Sequence, residues 1–392
     1  MSYHPAAEVF AVFLRLGLTS FGGPIAHLGY FREELVVRRR WLDDAAYADL
    51  VALCQFLPGP TSSKVGLALG LMRAGWLGGL AAFVAFTLPS ALILFGLAMT
   101  AGTFAGPGWA GALHGLKIAA VAIVAQAVLG MARTLCPDAG RATVAAGAVA
   151  VLALVPGFWG MAGAILAGAL AGLVLARGDG APPPAARIRL PGTPATALAA
   201  LTAFAALLVG LPLLAPQAPV LALADGFYRA GALVFGGGHV VLPLLESTVV
   251  QTGRVPADMF LAGYGAAQAM PGPLFSFAAY LGAIQEPAPN GALGAAVALL
   301  ALFLPGFLVL AGVLPFWDRF RTLAPVRALM RGANAAVVGI LGATLYDPLF
   351  TRTILGLDDL ALALACFVAL AGWRAAPWAV VLAAAAAGLA LA

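Results

Sequence analysis

The chain has 392 residues, 62% of them hydrophobic and only 9% charged, against roughly 25% charged residues in an ordinary soluble domain. A soluble fold has nowhere to bury that much apolar surface, so composition excludes a soluble globular enzyme and makes the lipid bilayer the first partner. The net charge of +5 does not mark a nucleic-acid binder, because the basic residues are spread over short interhelical segments, where they act as topology determinants.

Met1 to Glu8 lacks a basic n-region followed by a cleavage site, so no removable signal peptide is expected. The first apolar helix carries Arg15, and an ionisable residue at membrane depth is costly enough to be a functional candidate by default; snorkelling to an interface is the alternative. It runs into Phe21-Gly22-Gly23-Pro24, where glycines permit an unwound helix or, equally, close helix packing. Gly29 to Trp41 sets Tyr30, Phe31 and Trp41 among charges and reads as an interfacial amphipathic helix, with Asp43 and Asp44 capping the next helix.

Ala45 to Leu57 and Val65 to Met72 are each too short to span a bilayer. Between them lies Gln55 to Lys64, with Pro58, Gly59 and Pro60 at its centre, so a helix, a break and a second helix are expected. Pro60 suits the first turn of the second helix. Thr61, Ser62 and Ser63 then offer hydroxyls beside unpaired backbone amides, and Lys64 adds a charge. That is the outline of an anion cradle at a helix N-terminus; the plain alternative is that Pro-Gly-Pro only joins two membrane helices. Trp76 to Thr103 and Leu113 to Met131 come next as apolar stretches, the latter carrying Lys117.

The pattern then repeats at an offset of about 214 residues. Phe13, Arg15, Gly17, Phe21, Gly22 and Gly23 recur as Phe227, Arg229, Gly231, Phe235, Gly236 and Gly237; Gln55, Pro58, Gly59 and Pro60 recur as Gln268, Pro271, Gly272 and Pro273; Leu88-Pro89 recurs as Leu304-Pro305. Glu33 finds a counterpart in Glu246, and Lys117 aligns with Asn334. The second cradle keeps Ser276 but has Phe275 near the hydroxyl positions and no lysine, so the site is expected to be asymmetric. Arg177 to Pro194, with three consecutive prolines, reads as an extra-membrane linker. The division is therefore residues 1–177 as first repeat, 178–194 as linker and 195–392 as second repeat.

Charge bias orients the halves. Before the first Pro-Gly-Pro stand Arg32, Arg38, Arg39 and Arg40, whereas Gln251 to Pro256 has only Arg254. After the Leu-Pro helix the bias reverses: Ala101 to Leu113 has no Lys or Arg, and Phe316 to Arg331 has Arg319, Arg321, Arg327 and Arg331. The positive-inside rule then puts equivalent loops on opposite sides. The expected fold is an all-α polytopic membrane protein of roughly 12 to 14 hydrophobic segments, built as two inverted-topology repeats with Pro/Gly-broken helices and a site near the midplane. Asp358 to Ala392 makes either two short, tilted passes or one hairpin.

No Walker-type GxxxxGK[ST], HExxH or GxSxG is present, so energy is expected from a gradient, and neither an enzyme nor a cofactor is indicated. Cys54, Cys136 and Cys366 are isolated, without a CxxC pair or a histidine at ligand spacing, so no metal site or disulfide framework is expected. Gly238 and His239 extend the second glycine break; His239, Glu33 and Glu246 are the residues considered for proton coupling, His239 because it titrates near neutral pH when unperturbed.

These motifs, Phe21 to Pro24, Gln55 to Pro60, Phe235 to His239 followed by Pro243-Leu244-Leu245, and Gln268 to Pro273 in that order and spacing, resemble the chromate ion transporter family in its long, two-domain form. The resemblance covers the chain from about Glu8 to its end. It implies a multi-pass cell inner-membrane protein that exports chromate from the cytoplasm through two homologous halves of opposite orientation. Chromate is a tetrahedral dianion like sulfate, which agrees with the anion cradles read from the residues; choosing chromate over sulfate rests on the resemblance alone. A sulfate or organic-anion carrier, an anion channel and an intramembrane enzyme are the rivals, and a homodimer is left open.

Overall fold

The computed structural model describes residues 5–100, 107–175, 192–235, 237–316 and 323–391, apart from a few side chains among them. Every regular element among the described residues is a helix. In lipid each backbone N–H and C=O must find its partner within the protein, and a helix satisfies nearly all of them within one segment.

The first half opens with α1 (Pro5–Thr19) and the short α2 (Gly23–Phe31), which continues as a wide π-type turn over Arg32–Arg38. This region is amphipathic as expected: Leu35 and Val36 are buried, while Arg32, Glu33 and Arg38 are exposed. Next come α3 (Asp44–Phe56) and α4 (Thr61–Thr100). Asp43 caps α3 by accepting a bond from the Ala46 amide at 2.7 Å; Asp44 instead pairs with Arg32 at 2.7 Å. The 40 residues of α4 are divided by non-helical backbone at Ala74 and Gly75, so α4 is a short helix followed by a long one. The half closes with α5 (Pro107–Leu135), α6 (Ala139–Leu154) and α7 (Phe158–Leu175).

After α8 (Pro194–Leu214) the same plan returns: α9 (Pro219–Ala232), α10 (Val241–Val249), α11 (Ala257–Ala269), the short α12 (Phe277–Ile284) and long α13 (Gly291–Val313), then α14 (Ala324–Thr344), α15 (Leu357–Ala371) and α16 (Pro377–Leu391). Lengths match element by element: α1 and α9 have 15 and 14 residues, α2 and α10 nine each, α3 and α11 thirteen each. Asp358 to Ala392 thus forms two helices. Residues 178–191 of the expected linker lie outside the described residues, as do Arg319 and Arg321.

Among the described residues six helical stretches are long and apolar enough to cross a bilayer: Thr61–Thr100, Trp109–Leu135, Phe158–Leu175, Pro194–Gln217, Gly291–Phe316 and Ala324–Thr353. Shorter apolar helices supplement them. On the second part of α4, Trp76, Leu77, Leu80, Val84, Leu88 and Leu92 are all exposed, an apolar stripe that water would not tolerate at this length. The chain is an all-α, polytopic membrane protein.

The two halves interlock. A Cβ added at Gly172 of α7 would strike the Ala328 carbonyl of α14, and one at Gly388 of α16 the Gly111 carbonyl of α5. The last helix of the first half thus lies against α14 and the last of the second against α5, backbone to backbone, the small-residue contact that replaces hydrophobic association inside lipid. Along the α5–α14 pair, Cys136 at the end of α5 reaches the Ala335 carbonyl in the middle of α14. The chain beyond α14, Leu345–Thr353, nevertheless packs on α5. Parallel helices in that register would carry Leu345–Thr353 past the end of α5, so α5 and α14 run antiparallel.

Candidate functional site

Both Pro-Gly-Pro segments are helix breaks, as their residues require. At the first, Leu57 is extended (φ −84°, ψ 152°), ending α3, and Gly59 takes φ +96°. At the second, Met270 is extended (φ −85°, ψ 144°) and Gly272 takes φ +93°, a region L-residues rarely occupy. The space is as restrictive as the torsion: a Cβ on Gly59 would lie 2.7 Å from the Gly306 Cα, and one on Gly272 would lie 2.9 Å from Ser90 Oγ.

The breaks cross over between halves. Gly59 donates its amide to the Val234 carbonyl at 2.8 Å, and Gly272 donates to the Ser20 carbonyl at 2.9 Å. Ser20 and Val234 are the equivalent residues that precede Phe21 and Phe235. Each Pro-Gly-Pro is thus fastened to the other half's Phe-Gly-Gly element, and all four sequence motifs meet in one buried region. Gly238 completes it, since a Cβ there would touch Pro24 at 2.8 Å. Gly236 lies outside the described residues.

Around this junction is a polar cluster inside an otherwise apolar core. Ser276 Oγ and Ser90 Oγ share a hydrogen bond of 2.7 Å, and Ser90 also donates to the Thr87 carbonyl. His27 Nδ1 lies 3.3 Å from Ser62 Oγ, its ring edge-on to Phe86. On the other side His239 Nδ1 and Tyr264 Oη are 2.8 Å apart. Ser20 Oγ, His27 Nε2, Ser63 Oγ, Thr87 Oγ1 and Gln268 Nε2 are buried without a hydrogen-bond partner among the described residues. An unmet buried polar group costs about 1–3 kcal/mol, so five of them beside two helix starts form a site able to bind a polar ligand. The first turn of α4 brings its free amides and positive dipole end to it, whereas α12 is entered through a tighter turn over Leu274–Ser276, in which the Ser276 and Phe277 amides are already bonded to the Pro273 and Leu274 carbonyls.

The remaining expected residues divide. Pro60, Ser62, Pro271 and Pro273 are buried at the junction, while Pro58 and Thr61 are half-buried. Phe21 is half-buried against Trp378, and Gly22 and Gly23 make the turn into α2. Lys64 is fully buried, but its Nζ donates to the Leu57 and Pro58 carbonyls at 2.5 and 2.9 Å. It ties the C-terminal end of α3 to the first turn of α4, so two of its donors serve the backbone of the break. Gln55 is exposed whereas its counterpart Gln268 is buried. Arg15 is also exposed. Neither Arg15 nor Arg229 meets Glu33 or Glu246: Arg229 pairs with Asp225, Glu33 with Arg38 at 3.1 Å, and Glu246 accepts from Gln251 at 2.8 Å. Lys117 pairs with Asp258 at 2.8 Å. Among the described residues no three His, Cys, Asp or Glu side chains are grouped to hold a metal.

Sequence reasoning missed His27, Ser90 and Asp225. His27 stands four residues after Gly23, Ser90 directly after Pro89, and Asp225 one helical turn before Arg229; that last i, i+4 spacing was a readable signal.

The fold and its paired breaks define a polytopic membrane protein whose two halves share one plan and build one central polar site. The profile of the family described as chromate transporter matches twice, over residues 7–173 and 221–389. The chain belongs to the chromate transporter family. It is 31% identical over 353 residues to a chromate transport protein of Pseudomonas aeruginosa, covering 88% of this chain and 81% of that protein. It is 30% identical over 366 residues to a chromate transport protein of Cupriavidus metallidurans, covering 91% and 86%. A probable chromate transport protein of Synechococcus elongatus is 28% identical over 86% of this chain and 84% of that relative. No solved structure matches.

Proposed function

We propose that the chain is a secondary transporter that exports chromate from the cytoplasm across the cell inner membrane, by alternating access of two inverted repeats around the central polar site. The carrying observation is the reciprocal pair of bonds, Gly59 to Val234 and Gly272 to Ser20, which gives both halves equivalent shares in one site. Broken helices at matching positions of two halves are where secondary transporters place their substrate. The antiparallel course of α5 and α14 and the opposed Arg distribution of equivalent loops support inversion. The division into 1–177, 178–194 and 195–392 belongs to the same reading.

The dianion sits between Pro60–Lys64 and Pro271–Ser276, facing the first turn of α4 and the turn Leu274–Ser276 that leads into α12. Donors for its oxygens come from helix-start amides and from the hydroxyl, imidazole and amide groups that have no partner among the described residues. Lys64 contributes charge from behind the break without leaving its two carbonyls. Proton coupling is assigned to His239, whose imidazole is hydrogen-bonded to Tyr264 beside the junction; Glu33 and Glu246 stand apart from it in ion-pair or amide contacts. Chromate as cargo rests on the names of the Pseudomonas and Cupriavidus relatives.

The test is chromate uptake into everted vesicles, with and without a proton gradient and with equimolar sulfate. Saturable, gradient-dependent uptake that survives equimolar sulfate is expected. Non-saturating conductance would replace the carrier with a channel, and uptake abolished by equimolar sulfate would replace chromate with sulfate.

A further inference from the structure

A second polar region lies apart from the junction. A cavity of ≈ 240 Å³ is lined by Asp225 and Arg229 of α9, Ser247 and Thr248 of α10, and Arg254 and Gln285 from the interhelical segments after α10 and α12, among others. Ala215, in the segment between α8 and α9, also lines it, so three interhelical segments converge at one mouth. From there α9 leads inward. At 1.5 Å per residue, Val234 lies about 7 Å beyond Arg229, and Val234 is the residue whose carbonyl holds Gly59. The cavity therefore ends about a helical turn and a half short of the central junction.

Its lining carries two guanidinium groups against one carboxylate. Arg229 is paired with Asp225, and its plane is set by the Phe158 ring of α7, 4.7 Å below the guanidinium carbon. That pairing leaves Arg229 Nε and Asp225 Oδ1 buried without partners among the described residues, so the two groups do not form the satisfied two-bond fork that arginine and carboxylate prefer. Arg254 has no carboxylate partner among the described residues; its side-chain bond to Gln285 Oε1 is a long one, 3.4 Å. Ser247 and Thr248 both direct their hydroxyl hydrogens to the Leu244 carbonyl. The donors on offer are therefore guanidinium N–H groups, planar forks suited to oxygens of a phosphate- or sulfate-like ion. Only the second half has this arrangement, because Ala11 stands where Asp225 would be expected, and Arg15 is exposed.

We propose that this cavity is a second binding site, an antechamber for tetrahedral oxyanions, in which Asp225 occupies Arg229 until an entering dianion displaces it. The dianion bridges Arg229 and Arg254, and the antechamber hands it on to the junction. This inference rests on the transporter reading above and adds a site that the sequence motifs do not contain. Asp225 is the built-in competitor: it keeps a buried cation paired when no anion is present, since a buried charge left alone is far costlier than a paired one.

Equilibrium dialysis of the purified full chain with radiolabelled sulfate tests it, using samples shown monodisperse by gel filtration. Wild type is expected to bind sulfate at two sites. Arg254→Gln should weaken one of them at least tenfold and Arg254→Lys should restore part of that loss, while Asp225→Asn, by removing the competitor, should tighten the same site several-fold. Ser276→Ala should affect the other site. Sulfate binding unchanged by both Arg254→Gln and Asp225→Asn, yet weakened by Ser276→Ala, overturns the antechamber and leaves the central site standing. No saturable binding of sulfate or chromate to wild type overturns the transporter reading and the antechamber with it. Should Asp225→Asn fail the gel-filtration criterion, the two Arg254 variants decide the matter alone.

Discussion

The two Pro-Gly-Pro breaks share a backbone and differ in chemistry. Gly59 and Gly272 adopt φ values three degrees apart, +96° and +93°, and each donates to the other half's Phe-Gly-Gly element. Yet the first break is followed by Thr61, Ser62, Ser63 and Lys64, and the second by Leu274, Phe275, Ser276 and Phe277. Lys64 is bound to carbonyls on the near side of its break, whereas its counterpart Phe277 packs against Phe260, Tyr264 and Tyr280. The shared part is what a half-helix start requires. The divergent part shows that one break is braced by a lysine amine and the other by an aromatic cluster.

The comparison breaks most sharply at the shared glycines. Gly59→Ala and Gly272→Ala each force a Cβ into backbone or Ser90 while demanding a left-handed torsion that alone costs ~1–2 kcal/mol. Both should abolish vesicle uptake, with Gly59→Ala the worse for stability because its obstacle is the Gly306 backbone. If one variant transported normally, the equivalence of the two breaks would be lost.

Lys64→Met comes next. It strands the Leu57 and Pro58 carbonyls and should cost ~1–3 kcal/mol for each acceptor left unmet, read as a fall of several degrees in the thermal midpoint together with reduced uptake. A rise in KM with an unchanged midpoint would instead place the ammonium on the anion. Ser276→Ala removes the bond shared with Ser90, and Ser90→Ala removes that bond and the one to the Thr87 carbonyl, each worth ~1 kcal/mol; both should lower chromate affinity about five-fold with a stability loss of no more than that size. Equal effects from both, without additivity in the double variant, would confirm that they act through their shared bond. The smallest effect belongs to Arg15→Gln, expected within two-fold of wild type in uptake because Arg15 is exposed; Arg229→Gln, at the equivalent position of the second repeat, should be the more damaging by a wide margin.

Much of the architecture was legible in the sequence because its causes are local. Pro58, Gly59 and Pro60 cannot continue a helix, and a recurring motif order makes two halves visible without coordinates. Chemistry at the site was harder to read. Lys64 at a helix start looks like a ligand for an anion, and nothing in its neighbours reveals that its side chain turns back to α3. Arg15 and Arg229 look equivalent, yet one faces outward and the other is clasped by Asp225, because the residue one turn earlier is Ala11 in one helix and Asp225 in the other.

By itself, then, the sequence determined the all-helical membrane fold, the places where helices break and the pairing of motifs between halves, since these arise from hydropathy, torsional preference and repetition along the chain. Only the tertiary structure decided which break faces which glycine element, that His27, Ser90 and Ser276 gather at the junction, and that Asp225 and Arg254 share a cavity. Those outcomes depend on contacts between residues some 30 to 190 positions apart, whose energies come from the packing of whole helices and leave no trace in local sequence.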